Sequence, residues 1–318
     1  MGDLNKAIEL LANTKKTRSD KRYVSLDVAY GIRARVHLTM HNYADALKDA
    51  EAALASTSSV PYSSAAVSKP TFIDIEDASW MWGILITDKD RVSTTGICNF
   101  PSHMGSLNYG YASVGGWRRI SPKLYNQIPE SDGRKGWFLD DTGVSVNLPA
   151  AAQAYITKKG APVYTQVKYG PMNDEWGSNN NATDVILMRV EEMYLIKAEA
   201  QAMNNDVSGG VNTLNSFVNT YRDPSYKCTA TTGEAVQEAV WHQRRIEFWG
   251  EGLAYFDIMR LNKGVNRLGC GFPKTAVFNI AAGDPVQIYS IPNKEVQYNP
   301  LLENNPLVSA PTPIPDEE

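Results

Sequence analysis

The chain has few of the features that give function away at a glance. Its 318 residues include only three cysteines, Cys98, Cys228 and Cys270, far apart and without a CxxC pair. Neither a zinc ribbon nor a disulfide framework is indicated, and they read as separate, partly buried thiols. No block of Lys and Arg occurs, and 31 basic residues against 35 acidic leave a net charge of −4, which excludes the electrostatic footprint of a nucleic-acid binder. No apolar run exceeds the four residues of Val185–Met188, far short of the roughly 18 a membrane-spanning helix needs. The opening MGDLNKAIELLANTKK lacks the apolar core of a signal peptide. P-loop, GxGxxG and GxSxG patterns are missing, and Gly250-Glu251-Gly252 lacks a third glycine and follows a helical pattern instead of a strand. Weight therefore shifts from catalysis to binding, with no catalytic residue, cofactor or metal expected.

What is present describes a folded chain. Apolar residues make up 43% and charged residues 21%, close to ordinary globular values, and the length suits one large or two ordinary domains. Seven Trp and 16 Tyr outnumber 8 Phe; rings with a polar edge suit wet, sugar-like or peptide-like surfaces better than a dry core.

Periodicity divides the chain into three parts. Residues 1–55 carry helical patterns over Leu4–Ala12, Tyr23–Met40 and Tyr43–Ala55, the last two joined around His41-Asn42 into an antiparallel pair with small residues at the crossing. That pair resembles a tetratricopeptide unit, which cannot bury both faces alone. A second helix pair is expected over 185–222. Residues 56–183 form a loop-rich insertion with only short extended candidates, such as Trp82–Thr87 and Pro162–Tyr169. Residues 184–318 continue the helical scaffold, with a helix capped by Thr231-Thr232, and end in an irregular, proline-rich tail, PTPIPDEE, expected to fray.

Three blocks in the last part then stand out: LMRVEEMYLIKAEA at Leu187–Ala200, QRRIEFWGEGLAYFDIMR at Gln243–Arg260, and IPNKEVQYNPLLENNP at Ile291–Pro306. Read in this order, with the DLNKAIELL and NYADAL helices before them, they resemble the SusD/RagB family of outer-membrane glycan- or nutrient-binding lipoproteins. Gln243 stands where the family usually has Glu, and Ala254-Tyr255 replaces a basic-aromatic pair. The chain is similar to the C-terminal portion of such a protein, or to a short member. The resemblance implies a mostly α, tetratricopeptide-like helical superhelix with a loop-rich insertion and an irregular C-terminal region. It implies non-enzymatic capture of an extracellular oligosaccharide and its delivery to a TonB-dependent outer-membrane transporter, from a precursor held to the outer membrane, facing out, by a lipid anchor this chain does not show. A helical-repeat scaffold binding a partner's peptide, or capture of peptides or other nutrients, is the alternative.

The charged residues of these blocks read as scaffold. Arg189, Glu191, Glu192, Lys197 and Glu199 are expected to tie the polar face of one helix at three- and four-residue spacing, and Arg244, Arg245, Glu247, Glu251, Asp257 and Arg260 to form a second set. Glu247 and Glu251 as an acid–base pair is the rival reading, with no partner base implied. His37 and His41 share a helix face, but Leu38 occupies the place of a zinc protease's glutamate. Asp88-Lys89-Asp90 lacks the glycine and distal glutamate of a calcium loop.

The aromatics carry the functional expectation. Sugar C–H faces pack on flat rings while hydroxyls bond to polar neighbours, and FPSHMGSLNYGYASVGGWRR offers Tyr109, Tyr111 and Trp117 among glycines, with Asn108 and Arg118 beside them. These five are the candidate ligand-binding residues. Trp137 and Trp176 are a second tier; Trp80 and Trp82, placed on one side of a strand by alternation, and Trp241, Trp249 and Phe256 are expected in the core.

Overall fold

A computed structural model describes residues 1–14, 17–90, 93 and 99–316; Cys98 and the last two residues of the chain lie outside them. Two compact units are formed. The first takes in Met1–Ile120 and Leu124–Gly252, the second Ser121–Lys123 and Leu253–Glu318.

The first unit begins with α1 (Gly2–Asn13), α2 (Leu26–Thr39) and α3 (Tyr43–Ser56). The chain reverses between α2 and α3 through His41, at φ 59°. Ala34 on α2 and Ala46, Ala50 and Ala53 on α3 are fully buried, so the backbones approach closely. Gly31 allows a further approach, since a Cβ there would lie 2.6 Å from the Met188 sulfur. Short helices α4 (Ser64–Val67), α5 (Phe100–Met104) and α6 (Pro122–Tyr125) and the longer α7 (Ala150–Lys158) punctuate the insertion. The scaffold resumes with α8 (Val190–Met203), α9 (Val207–Tyr221) and α10 (Gly233–Glu247), the last capped by the Thr232 hydroxyl accepting from Ala235 N–H.

The helix pairs α2–α3 and α8–α9 meet through α3 and α8, and α10 packs on α8. Ala198 and Ala200 are fully buried on α8, and Gly210 of α9 fits only because it lacks a Cβ, which would stand 2.6 Å from the Ala198 carbonyl. This is the mostly helical, tetratricopeptide-like architecture expected.

Three local expectations change. The second helix pair begins at Val190, not 185, because Val185–Arg189 forms strand β2, antiparallel to β1 (Trp80–Ile84). A four-residue apolar run does not distinguish strand from helix by its period. Trp80 and Trp82 do not share a side: the pairing register shifts between them, and a bulge turns one ring away from the other. Trp80 enters an aromatic core with Tyr62, Phe72 and Trp137, while Trp82 is half-buried against the helical core of Val28, Met188 and Met193. Trp137, a second-tier ligand candidate, is fully buried, its ring meeting Phe72 edge-on.

The charged residues of the first two blocks are not solvated helix faces. Arg189, Glu191 and Glu247 are buried and meet in one cluster with Arg134 and Arg222, joined by Lys168, Glu251 and Asp132. The Glu247 carboxylate receives Arg189 Nη1 at 2.9 Å, Arg222 Nε and Nη2 at 2.7 and 2.8 Å, and Arg134 Nη1 at 3.1 Å. Glu251 receives Arg189 Nη2 at 2.8 Å and Lys168 Nζ at 2.6 Å. Four cations face four carboxylates, so the cluster is neutral as a whole. Its members come from the insertion, from β2, from α8, from the end of α9, from α10 and from the turn after it, and it locks the insertion to the helices.

The second unit contains α11 (Ala254–Arg260), the two-residue strands β3 (Val265–Asn266) and β4 (Asn279–Ile280), and α12 (Asn293–Tyr298). Asp257 and Arg260 pair at 2.8 Å within α11. The spacing of the third block has a local cause: the Asn304 side chain accepts from Ile291 N–H at 2.8 Å and donates to Ile291 O at 3.1 Å, closing the segment on itself. Phe256 is 59% exposed instead of buried. The tail is held back rather than frayed, with Ile314 N–H donating to Val277 O at 2.9 Å and Asp316 Oδ1 accepting from Gly269 N–H at 2.6 Å.

Candidate ligand-binding site

The loop over 99–120 is anchored at close intervals. Asn99 caps α5 by accepting from Ser102 N–H at 2.9 Å, and its amide donates to Asn181 O at 2.8 Å. Tyr109 N–H donates to Ser178 O at 2.7 Å and Tyr111 N–H to the Ser102 hydroxyl at 3.0 Å. Between them Gly110 is walled in: a Cβ would lie 2.9 Å from the Ser102 hydroxyl and 3.0 Å from Asn181 Oδ1. The backbone is fixed while the rings are only partly covered, Tyr109 being 47% and Tyr111 42% exposed. An exposed ring on a fixed backbone loses little entropy when a ligand covers it.

An imidazole and two cations stand beside these rings. His103 stacks on Tyr111 with centroids 4.7 Å apart, and the Arg118 guanidinium stands 5.8 Å from the same ring. Lys159, just past the end of α7, holds its ammonium 5.0 Å from the Tyr109 ring and 5.8 Å from Tyr155. The Tyr155 hydroxyl donates to Asn108 O at 3.1 Å, tying α7 to the loop; burial pushes that hydroxyl's pKa above its usual value.

The five expected residues are thus divided. Tyr109, Tyr111 and Arg118 share the surface just described. Asn108 is buried and turns its amide inward to Asn181, so it shapes the loop from behind, and its Oδ1 has no hydrogen-bond partner. Trp117 is half-buried against Leu107, Ala152 and Ile156, as is the second-tier Trp176. Lys159 escaped notice in the sequence because nothing local links residue 159 to residue 109, and His103, within the quoted segment, was not among the candidates.

A second feature was also missed, a cleft of about 530 Å³ whose lining includes Tyr125, Tyr164, Lys135, Asp140 and Asp141. The two tyrosine rings stand 5.2 Å apart, and the Lys135 ammonium is 5.0 Å from Tyr125. Burial and the nearby Asp140 carboxylate push the Tyr125 hydroxyl up to about 12. Burial raises the Asp140 pKa, but hydrogen bonds from Val144 N–H, Thr142 and Gly143 N–H outweigh it and hold the carboxyl below its ordinary range. The Asp-Thr-Gly turn at 141–143 was the available signal.

Among the described residues no group of three or more His, Cys, Asp or Glu could hold a metal ion, and no helix is long and apolar enough to cross a membrane. His37 is instead 3.8 Å from Asp49.

Comparison with known proteins follows the fold. The profile of the SusD family matches residues 126–307. A SusD-like carbohydrate binding protein from Bacteroides vulgatus is 23% identical with a TM-score of 0.65, over 92% of this chain and 54% of its own. A SusD superfamily protein from Bacteroides thetaiotaomicron is 21% identical with a TM-score of 0.75, over 96% and 65%. Another from Bacteroides vulgatus is 19% identical with a TM-score of 0.72, over 96% and 63%. The chain thus spans between about half and two thirds of the length of these structures. No curated protein matches it.

Proposed function

Because the chain belongs to the SusD family, we propose that it captures an oligosaccharide outside the cell without transforming it, using Tyr109 and Tyr111 as the platform. The observation that carries this reading is the pair of half-exposed tyrosines on a backbone fixed by Ser102, Ser178 and Asn181. Arg118 and Lys159 supply hydrogen bonds beside the rings, Asn108 holds the loop from behind, and the exposed part of Trp117 extends the platform. The similar Bacteroides vulgatus structure is described as a carbohydrate binding protein, which supports this chemistry here.

The insertion over 56–183 presents the ligand, and the helical pairs on either side of it are the scaffold. Delivery to a TonB-dependent transporter, and a lipid anchor in a longer precursor, complete the reading. A glycan array probed with the chain identifies the bound class, and Tyr111→Ala removes that signal if the platform is correct. Steady release of reducing ends from the bound saccharide would make the protein an enzyme and overturn the non-catalytic reading.

A further inference from the structure

The segments that build the tyrosine surface are one-sided in charge. Between Asp90 and Glu130, and again between Asp141 and Asp174, the sequence contains no carboxylate side chain. The 99–120 loop and α7 both fall within these intervals, and they carry Arg118, Arg119, Lys158 and Lys159. Arg119, Lys158 and Lys159 are exposed and Arg118 is half-exposed. Neither Arg118 nor Lys159 forms an ion pair among the described residues. The acids of the neighbouring 172–178 turn are Asp174 and Glu175, both exposed. In a chain of net charge −4, a loop and a helix that carry no acid of their own, with two cations that form no ion pair beside half-exposed rings, run against the average.

Such a surface suits a sugar that carries its own negative charge. The ring face covers C–H groups, while an ammonium or guanidinium at the ring's edge meets a carboxylate or sulfate with charge-assisted hydrogen bonds. Resting on the reading of Tyr109 and Tyr111 as the saccharide platform, we propose that the ligand is an anionic oligosaccharide, bearing uronate or sulfate groups, whose charge is taken by Lys159 and Arg118. The cleft lined by Tyr125 and Tyr164 has the opposite polarity. There Glu130 is paired with Lys135 and Asp132 with Arg134, which leaves Asp140 and Asp141 to repel an anion. The sign of the ligand therefore discriminates between the two surfaces.

The test is calorimetric titration of the whole chain with matched pairs: oligogalacturonate and its carboxyl-reduced neutral form, and a sulfated galactan oligosaccharide and its desulfated form. A charged member is expected to bind about tenfold tighter than its neutral partner, and Lys159→Gln to remove most of that difference. Its affinity falls as salt is raised from about 50 mM to about 500 mM. The two pairs tell carboxylate from sulfate. Equal affinity within both pairs, no binding by either charged member, or an unchanged difference in both Lys159→Gln and Arg118→Gln overturns the proposal. Loss of a neutral saccharide's binding in Tyr109→Ala or Tyr111→Ala, with Lys159→Gln unaffected, leaves the platform standing and refutes the charge assignment alone. No effect of either tyrosine substitution on any bound saccharide refutes the platform itself.

Discussion

Replacing Glu247 with Gln probes the buried ion cluster at its centre. The carboxylate takes four hydrogen bonds from three guanidinium groups, at 2.7 to 3.1 Å, and the side chains of Glu247, Arg134, Arg189 and Arg222 are all fully buried. Gln keeps the shape but removes the charge and turns an amide N–H toward a guanidinium that can only donate. The neutral cluster becomes a cluster with one uncompensated cation, out of reach of water. Breaking a buried pair from one side costs about 3 to 5 kcal/mol, against a total stability of about 5 to 15 kcal/mol for an ordinary protein. For a unit of this size that corresponds to a fall in melting temperature of about 6 to 20 °C. Thermal and urea unfolding followed by circular dichroism reads the loss. Glu9→Gln is the control, because Lys6–Glu9 is a surface pair with both side chains more than half exposed, worth about 0 to 1 kcal/mol. If Glu247→Gln costs no more than Glu9→Gln, the cluster does not lock the insertion to the helices and that part of the account is wrong.

Four further outcomes are expected. Ala200→Leu overpacks the fully buried face of α8 and costs about 1 to 3 kcal/mol; an unchanged melting temperature would make this helix peripheral. Acid destabilises the protein: burial opposes ionisation of Glu247 and Glu251, but Arg222 and Arg189 at the first and Arg189 and Lys168 at the second hold their pKa values below the ordinary one. Their stabilisation is complete above the unfolded carboxylate range and is lost as pH falls through the folded values, so melting temperature must drop on going from neutral pH to below the carboxylate range; a flat profile refutes it. Burial pulls Lys168 down to about 8 from 10.5, so between these values the unfolded chain binds more protons and this group's contribution to stability rises with pH; Lys168→Met should remove that slope in a melting series from pH 8 to 10.5. Tyr109→Ala should leave stability nearly unchanged while weakening saccharide binding about five- to thirtyfold, whereas Trp117→Ala should also lower the melting temperature, because that ring packs on Leu107 and Ile156; equal stability losses in the two variants would contradict the burial difference.

How much was legible in the sequence differs by element. The α2–α3 pair was readable because its small residues recur at three- and four-residue steps and its turn is local. The Val185–Met188 run was not, since strand and helix bury an apolar stretch equally well and only its distant partner Trp80–Ile84 decides. The ion cluster was misplaced for the same reason. Arg189, Glu191, Glu247 and Glu251 at helical spacing look like solvated faces, and what buries them is Arg134, Lys168 and Arg222, brought from other parts of the chain. Trp137 sits among polar residues in sequence, yet its environment is Phe72 and Lys168. At the candidate site, Tyr109 and Tyr111 could be picked out as rings without an amphipathic period to bury them. Lys159 reaches Tyr109 by a chain crossing that no local pattern encodes, and for the Tyr125–Tyr164 cleft the one local signal, the Asp-Thr-Gly turn at 141–143, does not by itself bring the two rings together.

The central claim, that Tyr109 and Tyr111 receive the sugar, is tested most directly by a crystal structure of the chain with its best-binding oligosaccharide. The account predicts a sugar ring lying on one or both tyrosines, with its charged or hydroxyl groups within hydrogen-bonding distance of Lys159 or Arg118. A saccharide seated in the Tyr125–Tyr164 cleft, with the tyrosines of the 99–120 loop bare, would contradict it.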